Sequence, residues 1–265
     1  DNDVWLYEGA ISDFRQGWMG SFDRKTREND NDFTLINQIS EALTVPNNEL
    51  LARLGAVLDL DQFMTFWAVE TLIAHWDGYA GNTNNFYIYR AEDDVIAQFI
   101  PWGVDGTFMT PYQLFEDQIA PASVNVAGIL AHRLYLHPMA QNIYLTRVQE
   151  LMNEILDPDL MQQKIDDMLG IIIEDVHPDK RLSLFLATEE INEFVAQHRQ
   201  RIINEIETGP VVWDTPLRTR EALCGTALGQ LQGSFETTWG SWPTEDTFQT
   251  GQSNINWTWE DRKIG

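Results

Sequence analysis

Apolar positions recur with a helical period over much of the chain. Phe33, Ile36, Ile39 and Leu43 fall three or four apart, and so do Leu60, Phe63, Phe66, Trp67, Val69 and Leu72, behind Asp59 or Asp61 as a cap. Both segments predict helices with one face on a core. The aromatic run Val4 to Tyr7 predicts a strand, and the polar stretch Arg15 to Asp32, which contains RKTRENDND, predicts a solvated loop. At His75 the pattern breaks. WDGYAGNTNN is a polar Gly/Asn loop, followed by two β-rich runs, Phe86 to Arg90 and Val95 to Pro101, which the AEDD turn joins as a hairpin. A second loop runs from Trp102 to Gly106. Helical patterning then returns over Val124 to Leu136, Met139 to Leu156, Leu160 to Val176 and Glu189 to Glu207. Pro138 and Pro158 sit near helix starts, and Thr188 with Glu189 and Glu190 reads as a helix N-terminus.

The helical unit, residues 1–209, closes at Gly209-Pro210, and residues 210–220 form a linker rich in Pro, Thr and Arg. Residues 221–265 shift to Gly, Thr, Ser and Trp and hold four of the ten Trp. With the alternation Ile255, Trp257, Trp259 they read as the start of a β-rich module. The opening DNDVWLYEG reads as the middle of a folded unit, so an upstream part is expected. The fold class predicted is α+β.

Charge narrows the partners. Among 265 residues, 17 Lys and Arg face 41 Asp and Glu, a net −24, which would repel a phosphate backbone; nucleic acid is excluded as a partner. No apolar run approaches the ~18 residues of a membrane span, so no membrane insertion is expected of this segment. Cys224 is the only cysteine, which rules out a disulfide framework and a thiolate zinc site. A protein partner should be basic where it touches this surface.

The densest polar constellation is His75, Asp77, Asn82, Asn84 and Asn85, with Asp105 standing 28 residues beyond Asp77 across the hairpin. Protein kinases need an Asp to accept the substrate hydroxyl proton and an Asn a few residues on to hold Mg2+. They also need a second Asp across a short hairpin for the metal that bridges the phosphates. Asn82 stands five residues after Asp77, the kinase offset, and Asp105 precedes Gly106 as in a metal-binding Asp-Gly turn. By spacing alone the structural alternative stays open, because Asn, Gly and Asp also build ordinary loops. His75, at a helix end, reads as a C-terminal cation or a core histidine.

HWDGYAGNTNNFYIYR (His75 to Arg90) followed by FIPWGVDGTF (Phe99 to Phe108) resembles the spore coat protein H kinase family, the CotH kinases. LYEGAISDF (Leu6 to Phe14) and FVAQHRQRI (Phe194 to Ile202) extend the likeness over about residues 4 to 207. The resemblance implies a helix-dominated kinase-like C-lobe. It also implies ATP and Mg2+ as cofactors, transfer to Ser or Thr of an exported protein, and a secreted or cell-surface location. Carried over by position, Asp77 matches the catalytic-loop Asp, Asn82 and Asn85 its Asn positions, and Asp105 the second Asp of the Pro-Trp-Asp-x-Asp motif. The first acid of that motif is Gly103 here, and the phosphate-covering loop and Lys of such a kinase are expected before residue 1.

Two other readings compete. In one the kinase fold is a scaffold for a non-catalytic surface adhesion or binding protein, which Gly103 favours. The other takes Asp30, Asp32, Asp93 and Asp94 as calcium loops, although their spacing lacks the Gly turn and distal Glu of such a loop. An acidic surface suited to a saline habitat also accounts for the charge without a ligand.

Overall fold

The computed structural model describes residues 4–27, 32–92, 94–108, 113–114, 118–119, 121–213 and 217. All belong to a unit that ends at Thr219. The β-rich module expected over 221–265 lies outside the described residues, as do Asp30 and Asp93.

The unit is α+β, as the sequence predicts. Its four-stranded antiparallel sheet contains β1 (Trp5–Gly9), β2 (Phe22–Arg24), β3 (Phe86–Arg90) and β4 (Gln98–Pro101), in the order β2-β1-β3-β4. The β3–β4 hairpin pairs Phe86 with Pro101 and Ile88 with Phe99. The polar stretch after Arg15 departs from the solvated loop expected there. Trp18, Ser21, Phe22 and Arg24 are buried, and Phe22 to Arg24 pairs with β1. Apolar residues spaced among charges hide such a strand, because the charged neighbours only need the pleat's outer face.

Eight α-helices occur among the described residues: α1 (Thr34–Ala42), α2 (Asn47–Gly55), α3 (Leu60–Leu72), α4 (Tyr79–Asn82), α5 (Ile129–Tyr135), α6 (Pro138–Ile155), α7 (Pro158–Ile172) and α8 (Pro178–Thr208). None is long and apolar enough to cross a membrane. Asp59 caps α3 by accepting from the Gln62 N–H at 3.1 Å, and Pro138 and Pro158 open α6 and α7, where their missing N–H costs nothing. Thr188 does not start a helix. α8 begins at Pro178, capped by His177, and Thr188 lies inside it with its hydroxyl on the Phe185 carbonyl. Residues 124–128, expected as helix, are not helical, with Val124 and Val126 buried; α5 starts only at Ile129. α2 stands where the pattern predicts no element, and the four-residue α4 stands inside the Gly/Asn loop expected over 76–85.

α3 is the axis of the core. Phe63, Met64, Phe66, Trp67, Ala68 and Leu72 are all buried, so almost its whole circumference is covered. The Phe63 ring meets Phe99 at 4.9 Å, and Phe99 stacks on Phe86 at 5.4 Å, which fixes the hairpin on the helix. Gln62 adds a polar tie: its Nε2 donates to the Phe99 carbonyl at 2.7 Å and its Oε1 accepts the Phe99 N–H at 3.0 Å. On the opposite side Trp67 stacks on Tyr144 of α6 at 3.7 Å. The C-terminal turn of α3 is pinned twice more. The Tyr144 hydroxyl donates to the Ser123 carbonyl and accepts from the Thr71 hydroxyl, each at 2.9 Å, and His198 of α8 meets the Thr71 carbonyl at 3.0 Å. Past Gly209 the chain stays on this unit as far as Trp213, with Val211 and Trp213 against the core and the Val211 carbonyl accepting from Tyr135.

Candidate functional site

The pinned end of α3 carries the polar constellation. Glu70, 3% exposed, is the one acidic residue between Phe63 and Trp76. Its two oxygens accept the Tyr79 and Ala80 N–H groups, each at 2.9 Å, so a buried carboxylate caps the N-terminus of α4. Gly78 is required between them, since a Cβ there would overlap the Glu70 carboxylate and the His75 ring. His75 is a buried core histidine. Its Nδ1 lies 3.6 Å from Glu70, an ion-pair contact longer than a hydrogen bond, and its Nε2 lies 3.2 Å from the Gly103 carbonyl. Burial pulls the imidazole down, but Glu70, the Gly103 carbonyl and Asp77 outweigh it and hold His75 above its ordinary value.

Three amides converge on Asp77. Asn82 donates to Oδ1 at 2.6 Å, Asn85 to Oδ2 at 2.8 Å, and Asn84 to both oxygens at 3.2 Å. The structure therefore brings Asp77, Asn82 and Asn85 together. The short α4 is what makes this possible, because one helical turn folds residues 79–82 back over Asp77. Asn84 is held from both ends, its Oδ1 accepting the Ile11 N–H at 3.2 Å, which makes it a tether to the N-terminal segment.

Asp105 sits on the loop after β4, and that loop lies along the first one. Trp102 N–H donates to the Asn85 carbonyl at 3.2 Å, and Phe108 N–H donates to the Ile73 carbonyl at 2.8 Å. Between these anchors a Cβ on Gly106 would stand 3.2 Å from the Trp76 indole nitrogen. Asp105 itself is exposed and makes no hydrogen bond among the described residues. Gly103 has φ +61°, and a Cβ on it would stand 2.8 Å from the Asn85 carboxamide carbon. The position where the resemblance expects an acid thus has no room for a side chain, because Asn85 fills it.

Left-handed backbone clusters here. Ala74, Thr83, Asn85 and Phe108 have φ between 50° and 55°, and so does Ile11, which is β-branched. Each costs about 1–3 kcal/mol, and such strain collects where surrounding structure holds a functional geometry.

A further buried acid braces the site from the N-terminal segment. Asp13 accepts from Ile129 N–H at 3.1 Å, from Tyr79 Oη–H at 3.2 Å and from Arg15 Nε at 2.6 Å. Burial raises its carboxyl above the ordinary range against the pull of Arg15 and the backbone donors of Ile129 and Phe14. The adjacent Ser12 N–H donates to the Thr83 carbonyl at 2.8 Å. Neither Asp13 nor Glu70 figured among the site residues expected from sequence. A signal existed for Glu70, the one charge on α3 beyond its first turn.

The donor set suits one kind of metal. Among the described residues no group of three or more His, Cys, Asp or Glu could hold an ion, which leaves no protein-only cage. Mg2+ needs fewer protein ligands: one or two carboxylate or amide oxygens suffice when phosphates and waters complete an octahedron. The exposed Asp105 carboxylate, on the loop whose Trp102 and Gly103 lie against Asn85, fits that role. The calcium reading finds no such support, since Asp32 and Asp94 accept the N–H groups of Thr34 and Ile96 and close local turns.

The chain is similar to Inner spore coat protein H of Bacillus subtilis, 21% identical over 146 residues, which cover 54% of this chain and 39% of that protein. It is also similar to Invasin CotH3 of Rhizopus delemar, 38% identical over 66 residues, which cover 24% of this chain and 11% of that protein. The matches thus span well under half of either relative's length. The model of the CotH kinase protein family matches residues 12–207, which takes in Asp13, Glu70, both loops and most of α8, and the chain belongs to that family.

Proposed function

We propose that this chain carries the catalytic loops of an ATP- and Mg2+-dependent protein kinase that modifies Ser or Thr hydroxyls of an exported or surface protein. The observation that carries the reading is the meeting of three carboxamides on Asp77 with the Asp105 loop laid against them. In this reading Asp77 positions the hydroxyl and takes its proton, while Asp105 with Asn82 or Asn85 holds the metal. Mg2+ would neutralise charge on the transferring phosphoryl group. Glu70 and Asp13 act through α4, fixing where Asp77 stands. A location on a coat or cell surface is consistent with the relatives' names.

A second reading is favoured by one observation. A carboxylate offers about four acceptor sites, and four amide contacts already fall on Asp77, which leaves none for a substrate hydroxyl. With Gly103 blocked by Asn85, this suits a scaffold whose loop has become structural, in a non-catalytic surface binding protein.

Phosphate transfer from γ-labelled ATP to Ser-containing basic peptides, measured with the full-length protein and Mg2+, separates the two. The kinase reading expects transfer that Asp105→Ala abolishes while Tm stays unchanged, because Asp105 is exposed and unbonded. No transfer by the wild type with Mg2+ or Mn2+ would leave the scaffold reading.

A further inference from the structure

α7 and the first half of α8 run outward from the core as a helical arm. α7 buries only Ile165, and α8 buries nothing before Phe194. The pair is held by its own contacts. Arg181 donates to the Val176 and Glu174 carbonyls after α7, and Asn192 donates to Gln162 across the two helices.

Besides Leu160 in the first turn of α7, the arm nevertheless shows six large apolar side chains to solvent. Met168, Ile171 and Ile172 lie on α7, and Leu182, Phe185 and Leu186 lie on α8. Each triplet has the spacing i, i+3, i+4, so each forms a stripe on its helix. Ile171 is 77% exposed and Leu182 69%. Scattered surface apolar residues are ordinary, but matched stripes on two packed helices mark an interaction site.

Charge indicates what covers it. Between Asp157 and Glu193 ten Asp and Glu face three Lys and Arg, and one of those three, Arg181, is turned onto backbone carbonyls. Glu189 and Glu193 continue the α8 stripe one and two turns beyond Leu186, both exposed. A second copy of the arm would set carboxylates against carboxylates. A cationic partner would not.

We propose that the α7–α8 arm docks a partner protein through an amphipathic helix whose apolar face is flanked by Lys or Arg. The apolar residues enter between Leu182, Phe185 and Leu186, and the cations meet Glu189 and Glu193. This surface does not depend on phosphoryl transfer at the Asp77 loop.

The test titrates the full chain into a fluorescent 18-residue peptide with Leu along one helical face and Lys on its flanks. A scrambled peptide of equal composition and a Glu-flanked version serve as comparisons. Saturable binding of the amphipathic Lys peptide alone is expected. It should weaken at least about tenfold in Leu182→Ser/Phe185→Ser and in Ile171→Ser, which leave charge unchanged. Glu189→Gln/Glu193→Gln should weaken it about threefold at low salt, while Glu41→Gln/Glu49→Gln, which removes equal charge from α1 and α2, should not. Equal binding of the scrambled peptide, or equal loss in both Gln variants, would reduce the effect to net charge and overturn the proposal. So would absence of binding. Self-association of the chain in sedimentation, lost in the Ser variants, would overturn it in favour of a second copy as the occupant.

Discussion

The α3–α4 corner and the α7–α8 arm spend their side chains in opposite ways. At the corner, buried polar groups are tied to named partners: Glu70 to two backbone donors, Asp13 to α5 and Tyr79, Asp77 to three amides. In the arm, polar groups face water and apolar ones do too. A buried carboxylate is tolerated only when fully bonded, so the corner has one arrangement and fails as a unit. The arm is a pair of self-supporting helices whose outer face the fold does not need.

The sharpest break in that comparison is Glu70→Ala. It removes the acceptor for two buried N–H groups and the carboxylate beside His75, and should cost about 3–5 kcal/mol, lowering Tm by roughly 10 °C. A loss below about 1 kcal/mol in urea melts would mean that α4 does not depend on this carboxylate.

Gly103→Asp comes next. It writes the family's acid back into the loop, but at φ +61° and against the Asn85 carboxamide. The expected result is a loss of about 1–3 kcal/mol with no gain in metal binding or phosphotransfer. Increased Mg2+ affinity in calorimetry would show that Asn85 yields its place readily.

The third test uses pH. His75 lies above its ordinary value of 6.5 in the fold, so the stability it contributes is complete below pH 6.5 and is lost as pH rises through the folded value. His198 has the opposite sign. Burial lowers it against the pull of the Thr71 carbonyl, so its contribution is lost as pH falls through 6.5. The Tm advantage of wild type over His75→Gln should therefore shrink from pH 6 to pH 8.5, while the advantage over His198→Gln should shrink toward pH 5.5. Parallel curves for wild type and His75→Gln would remove protonated His75 from the corner.

The smallest effect belongs to the arm. Leu182→Ser/Phe185→Ser should move stability by under about 0.5 kcal/mol, since neither side chain is buried. A melt lowered by several degrees would show that the stripe already packs on something within the molecule.

How far the sequence made this legible follows from the same contrast. α3, α6 and the β3–β4 hairpin were readable because their apolar periods are long and regular. The start of α8 is not, because its apolar stripe of Leu182, Phe185 and Leu186 spans little more than one turn, and Thr188, Glu189 and Glu190 imitate a helix N-terminus beyond it. β2 was hidden because a three-residue strand gives almost no alternation to read. At the site, Asp77, Asn82, Asn85 and Asp105 were marked by residue type and spacing, yet the groups that hold them were less visible. Asp13 is 64 residues from Asp77, and only the folded chain shows that both close on α4. α4 escaped notice because Gly78, Gly81 and Asn82 are turn residues, and the carboxylate that caps this helix comes from α3.

The carboxamide of Gln62 has a further consequence. β4 is the last strand of the sheet, and the outward N–H and C=O of Phe99 are the pair that another chain would use to add itself. One glutamine side chain occupies both, and Val57 and Asp59 take the adjoining Ala97 N–H and carbonyl. The sheet therefore ends at β4 in an amide that mimics a neighbouring strand without being one, and this edge offers no template for another chain to extend.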